Sequence, residues 1–247
     1  MRNQNPVFST IQTGTTHFED VDAASYKGVA VKTGVLLLVT ALAAIITALT
    51  LPHATNASAL YAALVIAVLV GFFAGMIGRM STGAAKYCGF IYALCQGILI
   101  GTISAVCELF FPGVGTIAAF STILIFGVML LLYATGVFRQ GSFFRKLAYA
   151  LTIGVLVLVI FVSLFSLFFP AFDQVNLGVL IAIEAILLVY GAVSLIFNFD
   201  EANIVVKAGC NKKSEWSVSL GLIVSLVYIY IQVLYVLMLI FANSDRK

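Results

Sequence analysis

Seven runs of about twenty apolar residues fill almost the whole chain, each parted from the next by a short polar break. They lie at 29–51, 59–78, 87–110, 116–138, 147–169, 177–199 and 217–241. A run of this length is what an α-helix needs to cross the hydrocarbon core of a bilayer. Inside that core each backbone N–H and C=O must be paired within the segment, which selects helices. The pattern therefore predicts an all-α polytopic membrane protein with seven transmembrane helices over 29–242. A polar N-terminal segment, 1–28, precedes the bundle and a short tail, 243–247, follows it. The breaks carry the expected chemistry, with Pro52, Pro112 and Pro170 each stopping a run.

Composition agrees with the pattern. The chain is 62% hydrophobic and 9% charged, with a mean hydropathy of +1.14. A soluble domain is nearer 45–50% apolar and about 25% charged. The net charge of +3 is too sparse for a nucleic-acid footprint. Its distribution is informative instead. Numbering the breaks alternately puts Arg2, Lys27, Lys32, Arg79, Lys86, Arg139, Arg145, Lys146, Lys207, Lys212 and Lys213 on one side, against Arg246 and Lys247 on the other. By the positive-inside rule the N-terminus is expected in the cytoplasm and the C-terminus outside. The first 28 residues lack the basic start, apolar stretch and cleavage site of a signal peptide, so the first helix is expected to do the targeting. Cys88, Cys95, Cys107 and Cys210 form no CxxC pair and read as small buried hydrophobes. The spacings Gly71-xxx-Gly75 and Gly97-xxx-Gly101 read as close helix packing within the bundle.

Most catalytic constellations are missing from the sequence. The only histidines are His17 and His53, so no histidine-based metal site is expected. No GxSxG, P-loop or dinucleotide-binding glycine pattern occurs. The seventh run has no lysine and no acid, which argues against a retinal Schiff base and an intramembrane aspartyl protease. The reading is a protein that is not an enzyme, with no catalytic residue, no resident metal and no cofactor beyond a transient cation such as calcium.

What remains is a small set of polar groups at membrane depth, where ionisable side chains are expensive and need a reason. Glu184 lies among isoleucine and alanine in the sixth run. It reads either as lining a polar cavity or as making a structural hydrogen bond. Asp200 closes that run at its cytoplasmic side, as a gate or as an interfacial acid facing water. The two are 16 positions apart, roughly 24 Å along a helix, so they cannot share a proton. Gln96 in the third run and Gln232 in the seventh read as interhelical hydrogen-bond partners or as cavity residues. Glu108, near the outer end of the third run, is close enough to the interface to be solvated.

At Phe199-Asp200 the order of features resembles the Bax inhibitor-1/YccA family, and within it the bacterial YccA-like branch. The supporting segments are Asn5-Pro-Val-Phe, Tyr26-Lys-Gly-Val-Ala-Val-Lys-Thr, and Tyr92-Ala-Leu-Cys-Gln-Gly-Ile-Leu-Ile-Gly-Thr-Ile-Ser. Leu131-Leu-Tyr-Ala-Thr-Gly, Asn198-Phe-Asp and Glu215-Trp216 complete them. Together they span nearly the full length. The resemblance implies a seven-helix fold with the last helix central, in a bacterial plasma membrane. It also implies a calcium leak regulated by pH through paired aspartates, one closing the sixth helix and one in the seventh. Asp200 matches the first, and Ser225 stands where the second would be. The branch often has Glu where Gln96 stands, and Glu184 occupies a position where no acid is expected.

Two functions follow from the residues and the resemblance together. One is a pH-regulated cation leak or ion-homeostasis protein. Asp200, Ser225 and Arg79 would form its gate, with Arg79 pairing Asp200. Glu184, Gln96, Gln232 and Glu108 would line its path for cations or protons. The other is a non-conducting protein that binds and modulates another membrane protein, such as a membrane protease. The two differ in whether the acids touch a water-filled cavity or a sealed core.

Overall fold

The computed structural model describes residues 23–51, 57–135, 154 and 177–244. Among these, six helices are long and apolar enough to cross a membrane. They are α1 (Tyr26–Thr50), α2 (Ala57–Met80), α3 (Ala85–Phe110), α4 (Val114–Ala134), α5 (Leu177–Lys207) and α6 (Ser214–Ser244). The run expected at 147–169 lies outside the described residues. Their large apolar side chains, such as Leu42 on α1, Phe72 on α2 and Phe120 on α4, point outward. In a bilayer these faces contact lipid.

The last helix is the centre of the bundle, as the resemblance implied. α6 packs against all five other helices. A helix that is apolar all round is a buried one, and α6 buries residues on every side, from Val218 and Leu220 to Ile229 and Leu234. The helices around it approach closely where glycine permits. A Cβ at Gly97 would stand 2.6 Å from the Thr40 carbonyl oxygen, and one at Gly101 would stand 2.9 Å from the Ala44 Cα. The Gly97-xxx-Gly101 spacing therefore seats α3 on the backbone of α1 within one bundle.

One boundary differs from the sequence expectation. α5 does not close at Phe199-Asp200 but continues to Lys207. Nothing between 199 and 207 breaks a helix. The stop comes at Gly209, whose φ of +63° is the left-handed conformation glycine tolerates. Its N–H bonds the Val206 carbonyl at 3.1 Å and the Cys210 N–H bonds that of Val205 at 3.1 Å, a Schellman closure. Asp200 and Glu201 thus sit within a helix, and their phase around it decides what they face.

The basic residues gather at one end of the bundle. Lys32 of α1 pairs with Glu215 of α6, Arg79 of α2 pairs with Glu201 of α5, and Lys86 of α3 stands 6.0 Å from the Trp216 ring centroid. Glu108 and the start of α4 lie at the opposite end.

Candidate functional site

Polar residues of α5 and α6 form a seam between the two helices. On α5 the positions 184, 187, 191, 194, 198 and 201 recur at spacings of three or four, and so share one face. On α6 positions 221, 225, 228 and 232 do the same. These two faces meet. The seam runs 17 positions from Glu184 to Glu201, about 25 Å along the helix, most of the thickness of a hydrocarbon core.

At the basic end the seam is knotted. Arg79 Nη2 donates to Glu201 Oε2 at 2.9 Å and to Asn198 Oδ1 at 3.3 Å. Asn198 Nδ2 donates to the Ser194 carbonyl at 2.9 Å and to Ser225 Oγ at 2.7 Å. The Ser194 and Ser225 hydroxyls share a further bond at 2.9 Å. Asn198 and Ser225 are buried, so each bond satisfies a group that would otherwise be costly in an apolar interior. Gly221 makes the room, because a Cβ there would stand 2.5 Å from Asn198 Oδ1 and 3.1 Å from Arg79 Nη1.

Further along, aromatic hydroxyls take over. Tyr190 and Tyr228 meet edge to face at 5.7 Å between centroids. The Tyr228 hydroxyl donates to the Leu187 carbonyl at 3.3 Å and accepts from Gln232 Nε2 at 3.3 Å. Glu184 lies within electrostatic reach of Tyr228. Its Oε2 is buried and has no hydrogen-bond partner among the described residues. A carboxylate oxygen buried at membrane depth is costly and needs a reason.

The structure brings Arg79, Ser225, Gln232 and Glu184 onto this seam and leaves Asp200, Gln96 and Glu108 off it. Asp200 lies two residues beyond Asn198, about 200° around the helix, and faces Tyr133 of α4 instead. The expected Arg79–Asp200 pair does not form; Glu201 is the partner of Arg79. Ser225 therefore meets Asn198, not the acid at 200. Gln96 sits between α3 and α2, where a Cβ on Gly71 would come within 3.5 Å of its Nε2. Glu108 lies off the seam and caps a helix. Its carboxylate accepts the Gly113 N–H at 2.6 Å and the Gly115 N–H at 3.1 Å. Gly113 has no side chain with which to cap α4, and Glu108 supplies the missing acceptor at a helix N-terminus, where negative charge is favoured.

Ser194 and Tyr228 were not singled out by sequence reasoning, Asn198 entered it only within a segment of the resemblance, and a second polar cluster at the basic end was not anticipated. The Glu215 side chain is fully buried and pairs with Lys32 at 2.5 Å. It also accepts the Ser25 N–H at 2.7 Å and the Ser25 hydroxyl at 3.3 Å. Lys32 further donates to the Lys212 carbonyl at 2.9 Å and stands 5.1 Å from the Trp216 ring centroid. The Ala24 N–H bonds the Cys210 carbonyl at 2.8 Å. This cluster fastens the entry of α1 to the start of α6.

An apolar cavity of about 920 Å³ lies apart from the seam, between α1 and α4 and floored by α6. None of Glu184, Asn198, Asp200 or Ser225 lines it.

The family model described as Bax inhibitor 1 like matches residues 5–242. No curated protein and no solved structure matches the chain.

Proposed function

Because the chain belongs to the Bax inhibitor 1 like family, we propose that it is an ion-homeostasis protein of the membrane that leaks cations along the α5–α6 seam. The observation that carries this reading is the buried Glu184 oxygen, without a hydrogen-bond partner among the described residues, at the end of a polar ladder about 25 Å long. Glu201 at the basic end is paired with Arg79, which leaves Glu184 as the seam carboxylate that attracts a cation. The hydroxyls of Ser194, Ser225 and Tyr228 and the amide of Gln232 supply hard oxygen atoms for partial dehydration. One carboxylate is too few for a tight calcium site, and conduction needs an ion that leaves as readily as it enters.

The Arg79–Asn198–Ser225–Ser194 knot holds the path closed at the basic end. The guanidinium sets a positive charge across the mouth, and Glu201 anchors it. Opening requires Arg79 and Asn198 to part from each other. Nothing in the knot's buried part is titratable, so the pH response belongs to Glu184. Protonation removes its charge, so the flux is lower in acid.

The test is cation flux into dye-loaded proteoliposomes, for calcium and for a monovalent ion, in mildly acidic and mildly alkaline buffer. Wild type should leak faster in alkali. Glu184→Gln should leak slowly and without pH dependence, and Asp200→Asn should behave as wild type. Should Asp200→Asn alone abolish the pH response, the seam is the wrong path. No flux above empty liposomes from folded protein would remove conduction and favour a non-conducting partner of other membrane proteins.

A further inference from the structure

Two antiparallel helices keep one register, so a step forward on one is a step back on the other. α5 and α6 show theirs at three levels. Gly221 faces Asn198, Ser225 bonds Ser194, and a Cβ at Gly191 would stand 2.9 Å from Tyr228 Cδ1. Four residues further along α6, the same register puts Gln232 level with Leu187. Glu184 lies three positions beyond Leu187, about 4.5 Å along the axis. The Tyr228 hydroxyl ties the helices together at this depth. It accepts from Gln232 Nε2 and donates to the Leu187 carbonyl, both at 3.3 Å, and it lies within electrostatic reach of Glu184. The depth of the path's acid thus holds one carboxylate, one amide and one phenol.

The sequence puts no second acid beside them. From 23 to 169 the only acid is Glu108, whose carboxylate is taken up by the N–H groups of Gly113 and Gly115. The run at 147–169, outside the described residues, contains no charged side chain, so it brings none to this depth whatever its packing. Asp173 falls in the polar break ahead of α5. Asp200 and Glu201 lie at the far end of α5, and α6 has no acid after Glu215.

We infer that the seam passes monovalent metal cations in preference to calcium, and that Gln232 sets this preference by holding a neutral amide where a second carboxylate would complete a divalent site. The inference rests on the reading that the seam is the path. A monovalent cation beside Glu184 makes a neutral pair. A calcium ion there keeps one positive charge uncompensated in an apolar interior, where unpaired charge is costly. Calcium affinity follows the number of charged oxygen ligands. The Gln232 amide and the Tyr228 hydroxyl replace lost water without adding charge. Glutamate at 232 would differ from glutamine by one charge and hardly at all in shape.

Counting charges at this depth tests the inference. The full chain is reconstituted in liposomes loaded with a sodium-sensitive or a calcium-sensitive dye. The buffer is mildly alkaline, so that the acids are ionised, and potassium with valinomycin carries the return current. Wild type has one negative charge at this depth, Glu184→Gln has none, and Gln232→Glu has two. The double variant Glu184→Gln/Gln232→Glu has one again, moved to α6. Wild type should admit sodium several-fold faster than calcium, and Glu184→Gln should slow sodium several-fold. Gln232→Glu should reverse the preference, and the double variant should restore it.

Calcium entry as fast as sodium entry in wild type, with both slowed by Glu184→Gln, would overturn the inference and leave the path standing. Sodium entry that Glu184→Gln leaves unchanged, or no entry of either ion from folded protein, would overturn the path and the inference with it. If wild type prefers sodium and folded Gln232→Glu keeps that preference, the assignment to Gln232 is wrong. Should Gln232→Glu fail to fold, the double variant decides, since a calcium preference in it would contradict the charge count.

Discussion

Asn198 holds the knot because of what it is not. An amide donates to Ser225 and accepts from Arg79 at once, and it does so at any pH. A carboxylate at the same place could only accept while ionised. Asn198→Asp should therefore create a pH-dependent knot. In alkaline buffer the introduced carboxylate pairs with Arg79 and holds the mouth shut. In acid it is neutral, the ion pair is lost, and the mouth loosens. On a Glu184→Gln background, which removes the wild-type response, its flux should rise as pH falls, opposite in sign to wild type, and proteoliposome flux at two pH values reads that sign directly. Glu215 makes the contrasting case, a buried charge whose partner cannot be spared. Removing one partner of a buried ion pair costs about 3–5 kcal/mol, because the other is left uncompensated. Glu215→Leu should lower stability by that order, and adding Lys32→Met should recover most of it. Thermal unfolding of the two single variants and the double variant in detergent gives the coupling.

These residues also show what a sequence can and cannot disclose. Glu184 and Gln232 were legible because a polar group inside an apolar run is conspicuous. Asn198 was legible only as part of a resemblance segment, because Asp200 two positions on looks like the stronger candidate. Only the phase of α5 against α6, about 100° per residue, shows that the acid points at α4 and the amide at Ser225. Glu215 was legible only as part of a resemblance. Its burial depends on the segment before α1 folding across the start of α6, a contact 190 positions apart in sequence, which no local pattern encodes.

At the scale of elements, the seven-run pattern placed six helices within a few residues of where they lie, since length and hydropathy alone fix a membrane span. The exception is the end of α5. Phe-Asp-Glu-Ala-Asn reads as the polar start of a loop, yet it contains no breaker, and the helix runs on until Gly209 can turn left-handed. Glycine also fixes the neighbours of α1. Because α3 rests at Gly97 and Gly101 directly on the Thr40–Thr47 backbone, a β-branched side chain there must push the two helices apart. Gly97→Val should cost about 1–3 kcal/mol through overpacking. Gly34→Leu, also at a small residue, faces open space and should cost less. A comparison of the two melting temperatures tests whether the α1–α3 contact or the cavity wall is the tighter constraint.

At the scale of the molecule, the charge pattern and the helix directions make one topological statement. Lys32, Arg79 and Lys86 converge on Glu215, Glu201 and Trp216, so the starts of α1, α3 and α6 share an end of the bundle with the finishes of α2 and α5. α4 finishes at that same end, where Tyr133 stacks 5.7 Å from Phe199. α5 starts at the other end, since its 31 residues run about 46 Å to reach Lys207 at the basic end. The chain therefore leaves α4 on one side of the membrane and enters α5 on the other. With α1 starting at the basic end and α6 finishing away from it, the two termini should lie on opposite sides. By the positive-inside rule the excess of lysine and arginine predicts a cytoplasmic N-terminal side. Single cysteines placed ahead of α1 and after α6, on a background with Cys88, Cys95, Cys107 and Cys210 replaced by serine, should react differently with a membrane-impermeant maleimide on intact cells. The C-terminal one should label and the N-terminal one should not. Labelling of both or of neither would mean an even number of crossings, and the arrangement of α4 and α5 about α6 would have to be redrawn.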